Sequence, residues 1–399
     1  MTREIQEAFV VAAVRTPVAR RNGAFRTTRP DDLLAHALRA LLARVPSLDA
    51  AAVGDVIAGC AMPEAEQGMN VARISSLLAG LPDSVPAYTI NRFCSSGVQA
   101  VADAAMRIRL GEADVMIGCG TESMSCMTQM MGNKPSPNPA VFAAGGEHLA
   151  IGFGMGLTAE KVAAQWKVSR EDQDAFALAS HQKACAAQAA GKFRAEIAAF
   201  TVRSQLPGAD GAVRVVERVV ADDEGPRPDS SLEALARLKP VFAARGSVTA
   251  GNSSQMSDGA AAVLLMSEAG LKRFGVRPIA RLAAYRVAGV PPEIMGIGPI
   301  EALPRALAAA GWTREQLDWI ELNEAFAAQA LAVQRTLELD SARINPLGGA
   351  IALGHPLGAT GAIRVATLMA AMERGEASRG AVTMCIGTGM GAAGLFEKV

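Results

Sequence analysis

The chain has 399 residues, 39 basic and 39 acidic side chains and no formal net charge at pH 7, a length that exceeds one ordinary domain and leaves ample material for a core. Half of the residues are hydrophobic, yet no apolar run approaches the ~18–20 residues of a membrane helix, which excludes membrane insertion. The even charge balance excludes the basic footprint of a nucleic-acid binder, and six cysteines without a CxxC pair read as separate thiols in a reduced compartment.

The residues ahead of the first strand include Glu4 and Glu7 and resemble neither a signal nor a transit peptide. The last residues, Leu395 to Val399, carry no peroxisomal tripeptide. A cytoplasmic location is the expectation. Phe9 to Val14 reads as a strand, and apolar positions 33, 34, 37, 38, 41, 42 and 45 define a helix over 31–45. A strand follows at 53–58. Asn91-Arg92-Phe93-Cys94 then precedes a helix for which Ser95 and Ser96 offer N-cap oxygens and Gly111 a left-handed C′ residue. Val115-Met116-Ile117 is the next strand.

Thr121 to Ser247 reads as an insertion. It opens irregularly over Gly132 to Pro139, carries helical stretches near 157–167 and 170–190, and includes a polar, proline-broken piece from Ala221 to Asp229. The Gly251-Asn252-Ser253-Ser254 turn then leads into the apolar segment Ala260–Met266. Beyond it lie a helix at roughly 300–311, a strand at 317–322, Asn323-Glu324 ahead of a helix over 325–336, and the glycine-rich run Asn345 to Gly358. A helix capped by Thr360 and ended by Gly375, a strand at 381–384 and Cys385 complete the order.

The second half repeats the first with a shift of 264 residues, which pairs Val53 with Leu317, Val56 with Ile320, Gly97 with Gly361, Val101 with Val365 and Gly111 with Gly375. Within each copy the two glycines fourteen residues apart, Gly97 with Gly111 and Gly361 with Gly375, are read as bracketing a helix. Strands alternating with helices in both copies predict βαβ units, parallel sheets and right-handed crossovers. The expected organisation is an α/β core of two halves, 1–120 with 248–270 and 271–399, with 121–247 laid over it as a loop domain.

Ligands of parallel sheets bind beyond the carboxyl ends of the strands, so the loops carrying Cys94, Asn323, His355 and Cys385 are expected to converge. Cys94 stands at a helix N-terminus, where the dipole favours a thiolate nucleophile; the alternative is a small buried hydrophobe. Cys60, Cys119, Cys126 and Cys185 are read as packing thiols. His355 lies in a run whose glycines let the backbone approach a ligand, and is either a general base or a loop-packing residue. His36 and His181 are read as solvated or capping, and His148 is left open. Asn323 can cap the helix after it and hold a water as well. The GxGxxG from Gly389 to Gly394 leaves no room for a dinucleotide fold, and no two Cys or His residues have zinc-ligand spacing.

At Asn91–Gly97, Asn323–Phe326, Asn345–Gly361 and Cys385–Gly387 the sequence resembles the thiolases, which cleave or form 3-ketoacyl-CoA by Claisen chemistry. The resemblance implies a duplicated, five-layered αβαβα core with an inserted loop domain, assembled as a homodimer or homotetramer. It implies Cys94 as the acylated nucleophile, His355 as its base and Cys385 as a second thiol acting as acid and base. It further implies Asn323 as the holder of a water in one oxyanion site, and the N–H groups of Cys94 and Gly387 as another. Ser254, Met155 and Arg227 would contact coenzyme A, a substrate rather than a permanently bound cofactor, with acyl-CoA as the other substrate and no metal.

Gly154-Met155-Gly156 stands where the biosynthetic acetoacetyl-CoA branch usually has His-Met-Gly, so the resemblance is stronger to the degradative 3-ketoacyl-CoA thiolases of fatty-acid β-oxidation. A ketosynthase-type condensing enzyme would be expected to show two catalytic histidines, and a non-catalytic lipid-binding scaffold to lack Cys385 or His355.

Overall fold

In the computed structural model, which describes residues 5–127, 138–142, 152, 154–207 and 212–399, the two copies of the repeat fold alike. The first contributes β1 (Phe9–Arg15), α1 (Pro30–Ala43), β2 (Val56–Gly59), α2 (Val71–Ala79), β3 (Ala87–Ile90), α3 (Ser96–Arg109) and β4 (Val115–Ser123). Then come α4 (Met155–Gln165), α5 (Arg170–Ala189) and the hairpin of β5 (Phe200–Pro207) with β6 (Val213–Val220). After β7 (Ser257–Met266) the second copy supplies β8 (Ala280–Gly289), α6 (Gly298–Ala310), β9 (Trp319–Leu322), α7 (Ala327–Thr336), α8 (Leu357–Glu373), β10 (Arg379–Ile386) and β11 (Met390–Lys398). His148 and residues 132–137 of the irregular stretch lie outside the described residues.

The 264-residue shift holds down to single backbone contacts. Val56 pairs with Ile117 in one parallel ladder and Ile320 with Ala381 in another, while Gly54 N–H donates to Val115 O and Asp318 N–H to Arg379 O. The helices α3 and α8 end alike. Gly111 and Gly375 take φ of 69° and 76° and donate to Ile108 O and Met372 O, a left-handed C-cap that glycine adopts without a Cβ clash.

Among the described residues the strands follow the order β9-β10-β11-β8-β1-β7-β4-β2-β3. The copies join where β1 meets β8 through Phe9 with Arg281 and Val10 with Ala280. Parallel ladders between these strands join β2 with β3 and β4, and β9 with β10; β7, β1, β8 and β11 run antiparallel to their neighbours. The expectation of parallel sheets fails at β10 and β11 because the short turn between Ile386 and Met390 can only reverse the chain, whereas a parallel partner needs a long crossover.

Side chains alternate across each strand with a period of two, and both faces are covered. Along β7, Ala260, Ala262, Leu264 and Met266 cluster with Leu33, Leu34, Leu38 and Leu41 of α1. Val263 and Leu265 cluster instead with Val101 and Ile108 of α3 and Val365 and Leu368 of α8. Val382, Met384, Ala392 and Phe396 join that central cluster from the second copy, and Ala381, Ala393 and Leu395 pack outward on Leu303 and Leu307 of α6. The resulting order is α1 and α2, sheet, α3 and α8, sheet, α6 and α7: five layers with α3 and α8 in the middle.

These two central helices cross at their first turns with backbones in contact. A Cβ on Gly97 would lie 2.6 Å from Ala362 N, and one on Gly361 2.2 Å from Val98 N. Gly97 and Gly361 therefore sit inside the helices and permit the crossing, and of the glycines expected to bracket each helix only Gly111 and Gly375 mark an end. The expected capping hydroxyls are also used otherwise. Ser96 Oγ accepts the Arg92 N–H and donates to Phe93 O, and α8 begins at Leu357 with Thr360 already inside its first turn.

Candidate active site

The crossing brings the segments ahead of α3 and α8 to one place. Before α3, Asn91 Oδ1 accepts the Phe93 N–H at 2.8 Å and Asn91 Nδ2 donates to Ala61 O at 3.0 Å. This holds Phe93 at a φ of 43°, and Cys94 follows in the 3-10 turn Phe93–Ser95. Before α8, Gly354 turns the chain at φ 94° and the His355 N–H donates to Gln255 O at 3.0 Å. Asn323 leaves β9 with its N–H on Thr383 O at 2.9 Å. It does not cap α7, which starts at Ala327 after Phe326; its main chain instead prolongs the hydrogen bonding of β9 with β10.

His355 is held at both ring nitrogens. Nδ1 lies 2.6 Å from Thr360 Oγ1, and that hydroxyl donates to Pro356 O at 3.1 Å. A carbonyl only accepts, so with the single hydroxyl hydrogen assigned to Pro356 O the hydrogen of the 2.6 Å contact is assigned to Nδ1. Nε2 is left with the lone pair, 3.3 Å from Asn323 Nδ2. Burial, and secondarily the Arg364 guanidinium, push this imidazole down to about 3, because both oppose the charged ring. Asn323 Oδ1 is buried with no hydrogen-bond partner among the described residues.

The Cys94 thiol is within hydrogen-bond reach of the main-chain N–H groups of Gly387 and of Cys94 itself, which favour its thiolate. Burial outweighs them and, with the Glu122 carboxylate adding to it, pushes the thiol up to about 11. The thiolate enrichment expected from the helix N-terminus is thus overturned, since desolvating a charge costs more than the dipole returns. Cys385, at the end of β10, is close enough to Cys94 for their charges to interact, and burial first, then Cys94, push its thiol up. It packs in one cluster with Met295, Phe326 and Met155.

Cys94 and His355 line a cleft of about 840 Å³ together with Ser254, Met155, Phe242 and Phe326. Arg227 is not brought to the thiols. It lines a neighbouring cavity of about 220 Å³ that shares Ala250, Ser253 and Gln255 with the cleft. The Arg227 N–H donates to His181 Nδ1 at 3.2 Å, and burial and the Arg227 charge push that ring down to about 4. His181 therefore anchors the Arg227 loop, and His36 packs edge-on against Phe200 with ring centroids 5.0 Å apart; neither is solvated or capping. Cys119 Sγ faces Ile57 O, away from the cleft.

The role of Thr360 was hidden by its reading as a cap; a hydroxyl one helical turn beyond a histidine at a helix start is the signal that reveals it. Among the described residues no group of three His, Cys, Asp or Glu side chains is placed to hold a metal ion, and no helix is long and apolar enough to cross a membrane.

The sequence matches the thiolase N-terminal domain over residues 8–269 and the thiolase C-terminal domain over residues 276–398. The 3-ketoacyl-CoA thiolase of Bacillus subtilis (strain 168) is 49% identical over 394 residues, covering 98% of this chain and 100% of that protein. The peroxisomal 3-ketoacyl-CoA thiolase A of Rattus norvegicus is 46% identical over 98% of this chain and 88% of its own length. The beta-ketoadipyl-CoA thiolase of Pseudomonas aeruginosa is 44% identical over 99% of this chain and 100% of its own. Among solved structures, the acetyl-CoA acetyltransferase of Bacillus anthracis superposes with a TM-score of 0.88 at 37% identity, covering 99% of this chain and 100% of that one.

Proposed function

The chain belongs to the thiolase family, and we propose that it cleaves 3-ketoacyl-CoA with CoA, yielding acetyl-CoA and a shortened acyl-CoA, as in fatty-acid β-oxidation. The observation that carries this reading is a thiol and a neutral imidazole, its lone pair assigned to Nε2, lining one large cleft. A soft nucleophile, two oxyanion sites and an acid are what breaking the C2–C3 bond requires.

In the proposed sequence His355 Nε2 takes the Cys94 proton as sulfur attacks the C3 ketone. The N–H groups of Cys94 and Gly387 receive the oxyanion. The C2–C3 bond then breaks, and its electron pair passes to a thioester enolate held by the new Nε2–H and by a water on Asn323, whose unpartnered Oδ1 is a polar group a buried water would satisfy. Cys385 protonates C2, acetyl-CoA leaves, and the Cys385 thiolate deprotonates the incoming CoA thiol. That thiol takes the acyl group from Cys94, and the expelled sulfur recovers its proton from His355.

Ser254 and Met155 are proposed to flank the CoA arm in the cleft and Arg227 its outer portion, with CoA a substrate and no cofactor bound permanently. A homodimer or homotetramer is part of the proposal, supported by the edge position of β3, a strand edge that proteins usually cover, and by the exposed Leu77 and Leu78 of α2; light scattering should return a multiple of 41.3 kDa. A cytoplasmic location is supported by the six free cysteines, which suit a reducing compartment.

The likeness to an acetyl-CoA acetyltransferase favours a second reading, a C4-restricted biosynthetic enzyme. Gly154, without a side chain to narrow the cleft, and the apolar Leu157, Phe242 and Met295 support the degradative one. Steady-state rates on C4, C8 and C16 3-ketoacyl-CoA decide between them. Loss of the magnesium-enolate band of acetoacetyl-CoA on adding CoA tests for any thiolysis, and activity confined to C4 would overturn the degradative reading.

A further inference from the structure

The proposed reaction makes no use of a carboxylate that stands between the two copies of the repeat. Glu122, near the end of β4, is fully buried. Its Oε2 accepts the N–H groups of Ala61 and Gly358, each at 2.8 Å. Its Oε1 accepts the Met62 N–H at 3.3 Å and a hydrogen bond from Gln67 Nε2. The Cys60 thiol also donates to Oε1, at 3.9 Å; all five partners are donors, so the side chain is satisfied as a carboxylate.

The two bonds on Oε2 lead to different reacting groups. Gly358 is the second residue of α8, and its N–H is among those a helix start leaves without an internal partner. Fixing it fixes the first turn that carries Thr360 and, through Thr360, the ring of His355. Ala61 leads the other way, because its carbonyl accepts from Asn91 Nδ2 while Asn91 Oδ1 holds Phe93 N–H beside Cys94. Backbone contact leaves the arrangement little slack, since a Cβ on Gly358 would lie 2.6 Å from Cys60 Cα and 2.9 Å from Glu122 Oε2.

We propose that Glu122 is a positioning residue that sets the placement of Cys94 relative to His355, by holding the Ala61 and Gly358 N–H groups on one oxygen. The inference rests on the thiolase reading above. Replacing the carboxylate by an amide keeps its size but turns two of its lone pairs into hydrogens. The NH2 that replaces one oxygen then meets N–H donors head-on, and the Ala61 and Gly358 arms shift against each other.

The test measures kcat and KM for acetoacetyl-CoA and CoA in wild type, Glu122→Gln and Glu196→Gln. Glu196 is an equally buried carboxylate that accepts from Arg15 and Thr367 and touches neither arm, so it controls for a general loss of stability. Glu122→Gln should lower kcat about 10- to 100-fold, the scale of a small misplacement of reacting groups, with both KM values unchanged, and Glu196→Gln should keep the wild-type kcat. If Glu122→Gln does not fold, Asn91→Asp, which removes the hydrogen bond to Ala61 O, should show the same split between kcat and KM. Equal kcat in the folded variant and wild type would overturn the positioning role, as would an equal fall in Glu196→Gln. Absence of thiolysis in wild type would overturn the reading on which the role rests.

Discussion

Thr360 Oγ1 lies 2.6 Å from His355 Nδ1 and 3.1 Å from Pro356 O, and giving the hydroxyl hydrogen to the carbonyl assigns the ring hydrogen to Nδ1 and leaves Nε2 free to take a proton. The nitrogen facing Asn323 is the base because the other one is occupied. Thr360→Val keeps the shape and removes the acceptor, leaving a buried ring N–H unpaired and the tautomer unspecified. Acylation of Cys94 in a single turnover should fall about 10- to 100-fold, within the usual contribution of a placed general base, while Thr360→Ser should retain it. A valine variant that acylates at the wild-type rate would remove the hydroxyl from the account.

A second prediction concerns pH. Because burial pushes His355 down to about 3, the free enzyme has no imidazole titrating at the site near 6.5, and kcat/KM, which reports groups of the free enzyme, should show no acid limb there. The same shift has a stability consequence. In the unfolded chain His355 binds its proton near 6.5, in the folded chain only near 3, so stability present above 6.5 is lost as pH falls through that window, at up to about 1.4 kcal/mol per pH unit. Urea midpoints from pH 7 to pH 4 should fall more steeply in wild type than in His355→Asn; parallel curves would place the imidazole in contact with water.

Much of this site was legible in the sequence because the duplication was. The repeat located the loops ahead of α3 and α8, and Cys94, Asn323 and His355 could be named from residues that precede helices or end strands. The electrostatics of the Cys94 thiol were not legible, since the N-terminal dipole can be read from position whereas burial depends on packing from other parts of the chain: Met155, Met295, Phe326 and His355 line the cleft with it. Glu122 was hidden for a related reason. Its five donors come from residues 60, 61, 62, 67 and 358, and β4 continues to Ser123, past the point where the repeat can be followed. Arg227 shows the converse, a residue placed by resemblance that lies in a neighbouring cavity.

The helix crossing yields a stability prediction in which two glycines behave differently. Gly97→Ala would drive a Cβ to 2.6 Å from Ala362 N and 2.9 Å from Gly358 O, both backbone atoms that cannot rotate away, and should cost about 3 kcal/mol or more, the upper range for overpacking. Gly111→Ala would meet only Gln6 Nε2, at an ordinary contact distance of 3.8 Å, but has a φ of 69°, and should cost about 1–2 kcal/mol of backbone strain. Urea denaturation of the two variants checks the order. A Gly97 variant less destabilised than the Gly111 variant would mean that α3 and α8 can separate, and the placing of the two loops would need another cause.

The last prediction separates the two thiols, the histidine and the asparagine by the step each serves. If Cys94 gives its proton to His355 Nε2, and Cys385 serves only the enolate and the incoming CoA, Cys385→Ala should still acylate Cys94 slowly but turn over poorly. His355→Ala should lose acylation itself, since it removes the base and one oxyanion donor together, a donor alone being worth ~3–4 kcal/mol or about 10²–10³ in rate. Asn323→Ala should fall between, because it takes away the Nδ2 contact with Nε2 at 3.3 Å and the unpartnered Oδ1 but leaves both thiols and the base. Single-turnover release of acetyl-CoA, with mass spectrometry of digests to locate the acyl adduct, measures all three. The adduct should sit on Cys94, and the rates should order as Cys385→Ala, then Asn323→Ala, then His355→Ala. An adduct on Cys385, or equal acylation in His355→Ala and wild type, would overturn this division. In the second case Cys94 would be activated by the Gly387 and Cys94 N–H groups alone, against the burial that raises its thiol to about 11.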